Sequence, residues 1–168
     1  MKGEPKALSM GVSSKGYPSI QIEPMRVRDL DAVLAIERAS FPTPWSRYAY
    51  LSELLENDRA YYVVAKTHDR RVAGYIGMWL VIDEGHITTI AVHPLHRGRG
   101  VGRQLLEAAE AIARERGALR ITLEVRVSNA VAHSLYQKMG YVDAGIRPGY
   151  YRDNNEDAII MWKELYSE

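Results

Sequence analysis

The chain has 168 residues, the length of one ordinary domain, so we expect one continuous core and no second large domain. Hydrophobic residues make up 46% and charged residues 26%, which argues against a disordered or fibrous chain. The formal net charge is only +1, so any anion site must be local, and neither direct nucleic-acid binding nor a polybasic membrane surface is expected. The absence of cysteine excludes disulfides, cysteine zinc sites and any acyl-cysteine mechanism.

The N-terminal segment carries no targeting signal that we can identify. It lacks the apolar stretch of a signal peptide, and no apolar run of about 18 residues or more occurs in the chain, so we expect a cytoplasmic protein without a membrane span. Residues 1–19 mix Lys, Gly, Ser and Pro without periodicity and are predicted to be a mobile arm. A single domain is predicted to follow, over residues 20–168.

The first elements in chain order are a strand and a helix. Alternation over residues 20–27, interrupted by Pro24, predicts an edge strand. Asp29 is then placed to cap a helix that ends near Ser40.

The next feature is a constrained loop. Two prolines within residues 41–45 exclude a continuing helix, so Phe41 and Trp45 are expected on a loop before Ser46 caps a second helix, which runs to about Asn57. Three runs rich in β-branched and aromatic residues follow and predict neighbouring antiparallel strands, at residues 60–66, about 72–82 and 86–92.

The second half of the chain changes character at a glycine-rich turn, residues 97–102, which leads into a helix closed by Gly117. The strand after it, residues 121–125, places Glu124 on the face opposite its apolar neighbours. Ser128 or Asn129 is expected to cap a short helix. Two final strands, at about residues 141–146 and 158–162, flank a predicted long loop that contains residues 148–151.

The glycine-rich turn has the features of an anion site. Gly100 and Gly102 remove side chains where a helix begins, so free N–H groups and the positive end of the helix dipole can face a diphosphate, with positive charge from nearby arginines. A turn with solvated arginines is the simpler alternative. No Gly-x4-Gly-Lys-Ser/Thr string occurs, and Arg103 stands where a dinucleotide fingerprint needs its third glycine, so ATP and nicotinamide cofactors are not expected.

Arg97-x-x-Gly100-x-Gly102 after Ile90-Ala91-Val92 resembles the acetyl-coenzyme A signature of the GNAT acetyltransferase superfamily, and the resemblance covers about residues 20–165. It implies the GNAT fold, an α/β (mixed α+β) architecture with a mostly antiparallel central sheet flanked by helices in the order β-α-α-β-β-β-α-β-α-β-β.

Three further stretches are similar to the branch that acetylates protein N-termini, namely residues 123–129, 135–141 and 149–158. The loop 41–46 most resembles the bacterial branch whose target is an N-terminal alanine of a small-subunit ribosomal protein. Residues 86–92 and 126–129 also resemble the archaeal and eukaryotic catalytic subunits of this class.

The resemblance assigns roles to particular residues. Glu124 is implied as the general base, and Tyr136 as the general acid that protonates the departing thiolate. From the residues alone, the favoured interpretation of Glu124 is a solvated carboxylate paired with Arg120 or Arg126, and a buried aromatic explains Tyr136 as well as the catalytic role does. The cofactor-binding residues implied are Ile90, Ala91, Val92, Arg97, Gly98, Arg99, Gly100, Val101, Gly102, Asn129 and Tyr136, with a backbone N–H of Ala91 or Val92 bonding the thioester carbonyl.

The acceptor groove is implied to lie between two aromatic loops, which carry Phe41, Pro42, Trp45, Tyr150 and Tyr151. Packing of these loops against the core is the alternative. His93 and His96 lack a third ligand at suitable spacing, so no metal is expected.

The leading hypothesis is therefore direct transfer of acetyl from acetyl-CoA to a protein N-terminal amine. The partner expected is a protein N-terminus, such as that of a small-subunit ribosomal protein, and the enzyme is expected to be a monomer or weak homodimer. A small-molecule amine acetyltransferase and a non-catalytic acyl-CoA-binding module are the alternatives. The former would need acidic residues around an enclosed pocket, and the latter would not need Glu124 or Tyr136.

Overall fold

The computed structural model describes residues 19–166. Of the predicted mobile arm, residues 1–18 lie outside the described residues. Seven strands and four helices follow in the predicted order. The strands are β1 (Gln21–Pro24), β2 (Ala60–Lys66), β3 (Val72–Val81), β4 (Glu84–Val92), β5 (Arg120–Arg126), β6 (Val142–Tyr151) and β7 (Glu156–Glu164). The helices are α1 (Leu30–Ser40), α2 (Arg47–Leu55), α3 (Val101–Glu115) and α4 (Ala130–Lys138).

The strands form a mixed sheet in the order β1-β2-β3-β4-β5-β7-β6. The pairs β1–β2, β5–β7 and β6–β7 are antiparallel, whereas β4 and β5 are parallel. The parallel register joins residues 84–86 to residues 120–122, and both strands continue beyond the last pair, His86 and Thr122. The predicted fold class and element order are thus confirmed.

The start of the chain departs from the prediction. β1 ends at Pro24, and Val27–Asp29 form a 3-10 turn, so the predicted strand does not reach Val27. Asp29 stands at the N-cap position of α1, but its side chain makes no capping bond to that helix. Instead its carboxylate accepts the Arg26 N–H at 2.8 Å and pairs with the buried Lys66 ammonium at 2.9 Å. A buried ammonium group without an opposite charge is costly, so the ion pair with Lys66 stabilises the fold more than a hydrogen bond from Asp29 to the start of α1 would.

The segment around Pro148 also departs from the prediction, because residues 148–151 lie in β6 instead of a loop. The pairing of β6 with β7 shifts register between Arg147 and Tyr151, which accommodates a proline without an N–H. Gly149, at φ +59°, donates its N–H to an Asp157 carboxylate oxygen at 2.8 Å in place of a ladder bond. A bulged strand therefore satisfies the backbone where Pro and Gly suggested a loop.

The described residues fall into two compact units, residues 19–78 with 89–109 and residues 79–88 with 110–166. The first has a core of side chains from the first two helices and from β2 to β4, including Leu30, Val33, Ile36, Tyr50 and Tyr75. The second buries alternate residues of β5, namely Ile121, Leu123 and Val125, together with Met161 and Tyr141. Each fully buried large aliphatic side chain contributes about 1.5–3 kcal/mol to folding. The prediction of one domain remains a prediction.

No helix within residues 19–166 combines the length and the apolar character needed to cross a bilayer.

Candidate active site

The glycine-rich turn has the geometry of a helix N-terminus open to an anion. Gly98 and Gly100 adopt φ values of +73° and +79°, a region that favours glycine, and α3 begins at the next residue, Val101. A Cβ at Gly98 or Gly100 would meet no atom within 4 Å, so the space beside the turn is open. The buried side chains of Val101 and Leu105 hold the helix in place beneath the turn.

Arg97 makes two contacts within its own unit. Its Nε donates to the Val92 carbonyl at 3.0 Å, and its Nη2 donates to the Ser40 hydroxyl at 3.1 Å. These two hydrogen bonds connect the turn to the end of β4 and to the end of α1. Arg99 is exposed, and Arg103 pairs with Glu107 one helical turn on, at 3.0 Å.

The end of β4 carries the three residues implied to face the thioester. Ala91 is buried, whereas Ile90 and Val92 are half-buried on the other face of the strand. Ala91 lies against a glycine of β3: a Cβ on Gly74 would stand 2.8 Å from the Ala91 carbonyl oxygen. The backbone at this point is therefore closely packed on one side.

The loop between α1 and α2, residues 41–46, is the predicted first wall of the acceptor groove. Phe41 and Trp45 are partly buried and pack against the core, while Pro42 is exposed. The Trp45 ring contacts the Tyr50 ring at 5.3 Å between centroids. Ser46 caps α2 as predicted, because its hydroxyl accepts the Ala49 N–H at 3.2 Å. Core packing thus accounts for part of the aromatic character of this loop.

Glu124 lies in the second unit on β5, two residues beyond the last parallel pair with β4. Its side chain is only 9% exposed, and its carboxylate lies 2.7 Å from the His86 Nε2 and 3.5 Å from the Arg147 Nε. Neither of the two arginines considered as ion-pair partners of Glu124 pairs with it. Arg120 pairs with Glu84, and Arg126 pairs with acidic groups at the β6–β7 turn. Glu124 is therefore a largely buried strand carboxylate held by a histidine and an arginine.

Tyr136 lies on α4, within the same unit, and is 6% exposed. Its ring meets the Tyr141 ring edge-on at 6.0 Å. Burial, with a smaller contribution from the neighbouring Tyr151 phenol, raises the pKa of Tyr136 above its usual value of 10. No residue of the described chain accepts a hydrogen bond from its hydroxyl, so this phenol holds a proton that is not committed to another protein group.

Asn129 caps α4, since its side-chain oxygen accepts the Ala132 N–H at 3.2 Å. Of the two predicted caps, Asn129 is thus the one used. The neighbouring Ser128 instead donates its N–H to the Glu156 carboxylate at 2.7 Å. Capping explains the presence of asparagine at this position, and a contact with the cofactor remains a prediction.

Tyr150 and Tyr151, at the end of β6, form the predicted second wall. Their rings meet edge-on at 5.1 Å between centroids. The Arg126 guanidinium lies 4.0 Å above the Tyr151 ring, and the Arg147 guanidinium lies 5.9 Å from the Tyr150 ring. Burial raises the pKa of Tyr151 to about 12.

Three side chains that the sequence analysis gave no role in the site contact the predicted residues: His86, Arg147 and Arg126. His86 and Arg147 hold Glu124, and Arg126 covers Tyr151. His86 is 38 positions from Glu124 in the chain. The parallel pairing of β4 with β5 would have indicated this contact. His86 and Thr122 form its last pair, and Glu124 follows Thr122 by two residues on the same strand face.

The two histidines weighed as metal ligands, His93 and His96, have ring centroids 5.7 Å apart. Within residues 19–166, no group of three or more histidine, aspartate or glutamate side chains is arranged to hold a metal ion. His93 instead accepts the Leu95 N–H on its Nδ1 at 3.1 Å, which starts the short 3-10 turn before the glycine-rich segment.

Comparisons with known proteins show the family of this chain. Residues 30–141 match the model of the acetyltransferase (GNAT) family. A Bacillus subtilis protein, provisionally named a ribosomal protein bS18-alanine N-acetyltransferase, is 47% identical over 82% of this chain and 91% of its own length. An Escherichia coli protein named for the same activity is 37% identical over 83% of this chain and 94% of its own length.

A solved structure supports the same relationship. The crystal structure of the ribosomal-protein-S18-alanine N-acetyltransferase from Escherichia coli superposes with a TM-score of 0.80 at 33% identity, over 89% of this chain and 96% of that one. The family match covers the segment from α1 to the end of α4, which includes the glycine-rich turn, Glu124 and Tyr136. The chain therefore belongs to the GNAT acetyltransferase family and is an acetyl-coenzyme A-dependent N-acetyltransferase.

Proposed function

We propose that this enzyme acetylates the α-amino group of a protein N-terminus, with an N-terminal alanine of a small-subunit ribosomal protein as its target. The Bacillus and Escherichia relatives are named for that reaction on bS18. The observation that carries the proposal is the Glu124 carboxylate, which is 9% exposed and lies in the unit that also holds Tyr136 and the Tyr150–Tyr151 pair. A base, a protonated phenol and an aromatic wall are what acetyl transfer to a chain end requires.

Glu124 is proposed as the general base. An α-ammonium group has a reference pKa of about 7.7–8.0, so a carboxylate can take its proton directly or through one water. The amine nitrogen then forms a bond to the acetyl carbonyl carbon. The His86 Nε2 lies 2.7 Å from one oxygen of the Glu124 carboxylate and the Arg147 Nε lies 3.5 Å from the other, so these two side chains hold the carboxylate in position.

Tyr136 is proposed as the general acid. As the carbon–sulfur bond breaks, the electron pair remains on the coenzyme A sulfur, which then takes the Tyr136 proton. Burial keeps this phenol protonated at neutral pH, and its proton is not donated to any other described residue. The nitrogen loses its second proton as the carbon–sulfur bond breaks, and this proton can replace the one that Tyr136 gave to the thiolate. Glu124 then releases its proton to solvent, so one proton leaves per turnover when the acceptor arrives as an ammonium group.

The glycine-rich turn is proposed to hold the acetyl-CoA diphosphate. The left-handed Gly98 and Gly100 leave space beside the first amides of α3, and Arg99 adds an exposed positive charge. Ala91 or Val92 of β4 is proposed to supply the amide that bonds the thioester carbonyl oxygen, which stabilises the negative charge that develops there. Every proposed group is a side chain or an amide, so the reaction as proposed needs no metal.

Phe41 and Trp45 of the loop 41–46 are proposed to contact the acceptor peptide, and Tyr150 and Tyr151 are proposed to contact it as well. Phe41 and Trp45 present a partly buried aromatic surface, and Tyr150 is 45% exposed. Aromatic walls bind a peptide chain without requiring charge on it. A ribosomal target would place the enzyme in the cytoplasm, and we propose that it acts there as a monomer or weak homodimer.

The test is acetyl transfer to short peptides that differ only in their first residue. We expect the peptide that begins with Ala to be acetylated fastest, and a peptide with a blocked α-amine and a free lysine side chain to be acetylated at least about a hundredfold more slowly. Mass spectrometry of the products locates the acetyl group. A preference for the lysine side chain over every α-amine would overturn the proposal.

A further inference from the structure

A carboxylate outside the proposed catalytic groups is completely buried in the first unit. Glu37, on the last turns of α1, has no exposed surface. Among residues 19–166, its carboxylate has no cationic partner within ion-pair distance. Three neutral donors surround it: the Tyr50 hydroxyl at 2.5 Å, the Tyr75 hydroxyl at 2.6 Å and the backbone N–H of Trp45 at 3.0 Å. A buried carboxylate without a counterion is costly, so its presence calls for a specific role.

The two oxygens of Glu37 have separate tasks. Oε1 accepts both phenols, which reach it from α2 and β3. Burial is the main cause that raises the pKa of Tyr50 and of Tyr75, so both phenols stay protonated and donate. Oε2 is left for the Trp45 N–H. The phenols thereby fix the carboxylate so that one oxygen is aimed at the backbone of the loop.

Glu37 also holds the other end of that loop. Its backbone carbonyl accepts the Phe41 N–H at 2.9 Å, while its side chain accepts the Trp45 N–H. Pro42 and Pro44 have no N–H, so the segment 41–45 contains only three backbone donors, and two of them end on this one residue. A short loop that is fixed at both ends and stiffened by two prolines keeps little freedom.

We infer that Glu37 is a positioning residue that presets the acceptor loop, residues 41–46, for the incoming peptide. The inference rests on the proposed function, which assigns this loop to the acceptor groove. By fixing Phe41 and Trp45 before the peptide arrives, Glu37 removes an ordering cost from peptide binding and has no contact with the reacting atoms. Its loss therefore weakens the binding of the peptide while the binding of acetyl-CoA is unaffected.

The variant Glu37→Gln probes this role selectively. A glutamine oxygen can keep both phenol bonds, but the amide –NH2 then faces the Trp45 N–H, and two donors cannot bond each other. We expect the KM for an alanine peptide to rise about tenfold or more, and the KM for acetyl-CoA and the kcat to stay within about twofold.

Tyr75→Phe is the matched control, because it removes one bond to the same carboxylate and leaves the Trp45 bond in place. We expect it to lower the melting temperature without a change in the peptide KM. An unchanged peptide KM in Glu37→Gln, or an equal rise in both variants, would show that Glu37 only stabilises the fold. Absence of turnover by the wild-type enzyme on every peptide would instead reject the proposed function itself.

A measurement on the wild-type enzyme decides the matter if Glu37→Gln does not fold. Amide hydrogen exchange is expected to be at least about tenfold slower at Trp45 than at the exposed Thr43, two residues earlier in the same loop. Equal exchange rates at these two amides would mean that Glu37 does not restrain the loop, and would overturn the inference.

Discussion

Replacing Glu124 with glutamine removes the proposed base and keeps the size of the side chain. The carboxylate is 9% exposed and lies 2.7 Å from the His86 Nε2, so an amide oxygen can still accept a hydrogen bond from that ring and the fold should be retained. General base catalysis contributes about 10²–10⁴-fold to a rate. We therefore expect the kcat/KM for an alanine peptide to fall about a hundredfold or more at pH 7.

The loss of activity in Glu124→Gln should depend on pH, because the neutral fraction of the acceptor amine does. An α-amine with a pKa of about 8 is about one-tenth neutral at pH 7 and about nine-tenths neutral at pH 9. Without Glu124, the rate follows the neutral fraction of the amine and rises about tenfold over this range. The wild-type enzyme deprotonates the bound amine itself, so its rate should change less, and the deficit of the variant should shrink as the pH rises.

The absence of cysteine makes the assay simple, because a thiol reagent detects only the coenzyme A released. Glu84→Gln is a matched control: Glu84 is a strand carboxylate of the same unit that pairs with Arg120 and is 42% exposed. We expect this control to keep full activity. The assignment of Glu124 as the base would be refuted by a variant that keeps more than about half of the wild-type rate at pH 7, or by one whose deficit is the same at pH 9.

Three further predictions concern the acid, the acceptor wall and the core. Because burial raises the pKa of Tyr136 above 10, the protonated acid persists and kcat should stay level up to pH 10, whereas a decline centred near 10 would contradict the assignment. Arg126→Lys removes the planar guanidinium that lies 4.0 Å above the ring of Tyr151, a residue of the acceptor wall, so the peptide KM should rise severalfold in initial-rate kinetics. Gly77→Ala would place a Cβ 2.1 Å from the Tyr62 ring. Urea denaturation should therefore show that the free energy of unfolding falls by at least about 1–3 kcal/mol.

Much of the fold could be predicted because its signals are local. Alternating burial along β5 follows directly from its alternating apolar and polar residues. The cap of α2 by Ser46 and the left-handed Gly117 after α3 follow from residue types with strong local preferences. Where a distant charge competed, local reasoning failed: Asp29 bonds Arg26 and Lys66 instead of capping α1.

The candidate site shows the same division. The family pattern indicated Glu124 and Tyr136, but it did not indicate what surrounds them. The non-catalytic alternative paired Glu124 with the nearby Arg120 or Arg126, whereas the structure pairs it with His86 from β4 and Arg147 from β6. Strand neighbours are set by hydrogen-bond register, which a single sequence does not display.

By itself the sequence determined the order of the elements, the helix-opening glycine turn and the identity of the candidate acid and base, because these depend on short-range preferences and on a recognisable motif. Only the tertiary structure decided that Glu37 lies fully buried among Tyr50, Tyr75 and Trp45. A carboxylate on a helix is usually solvated. The spacing of Glu37 from Val33 and Leu34 places it on their buried helix face, but that spacing does not show which groups meet it there. Its surroundings come from α2 and β3, so its role arises only when those elements pack together.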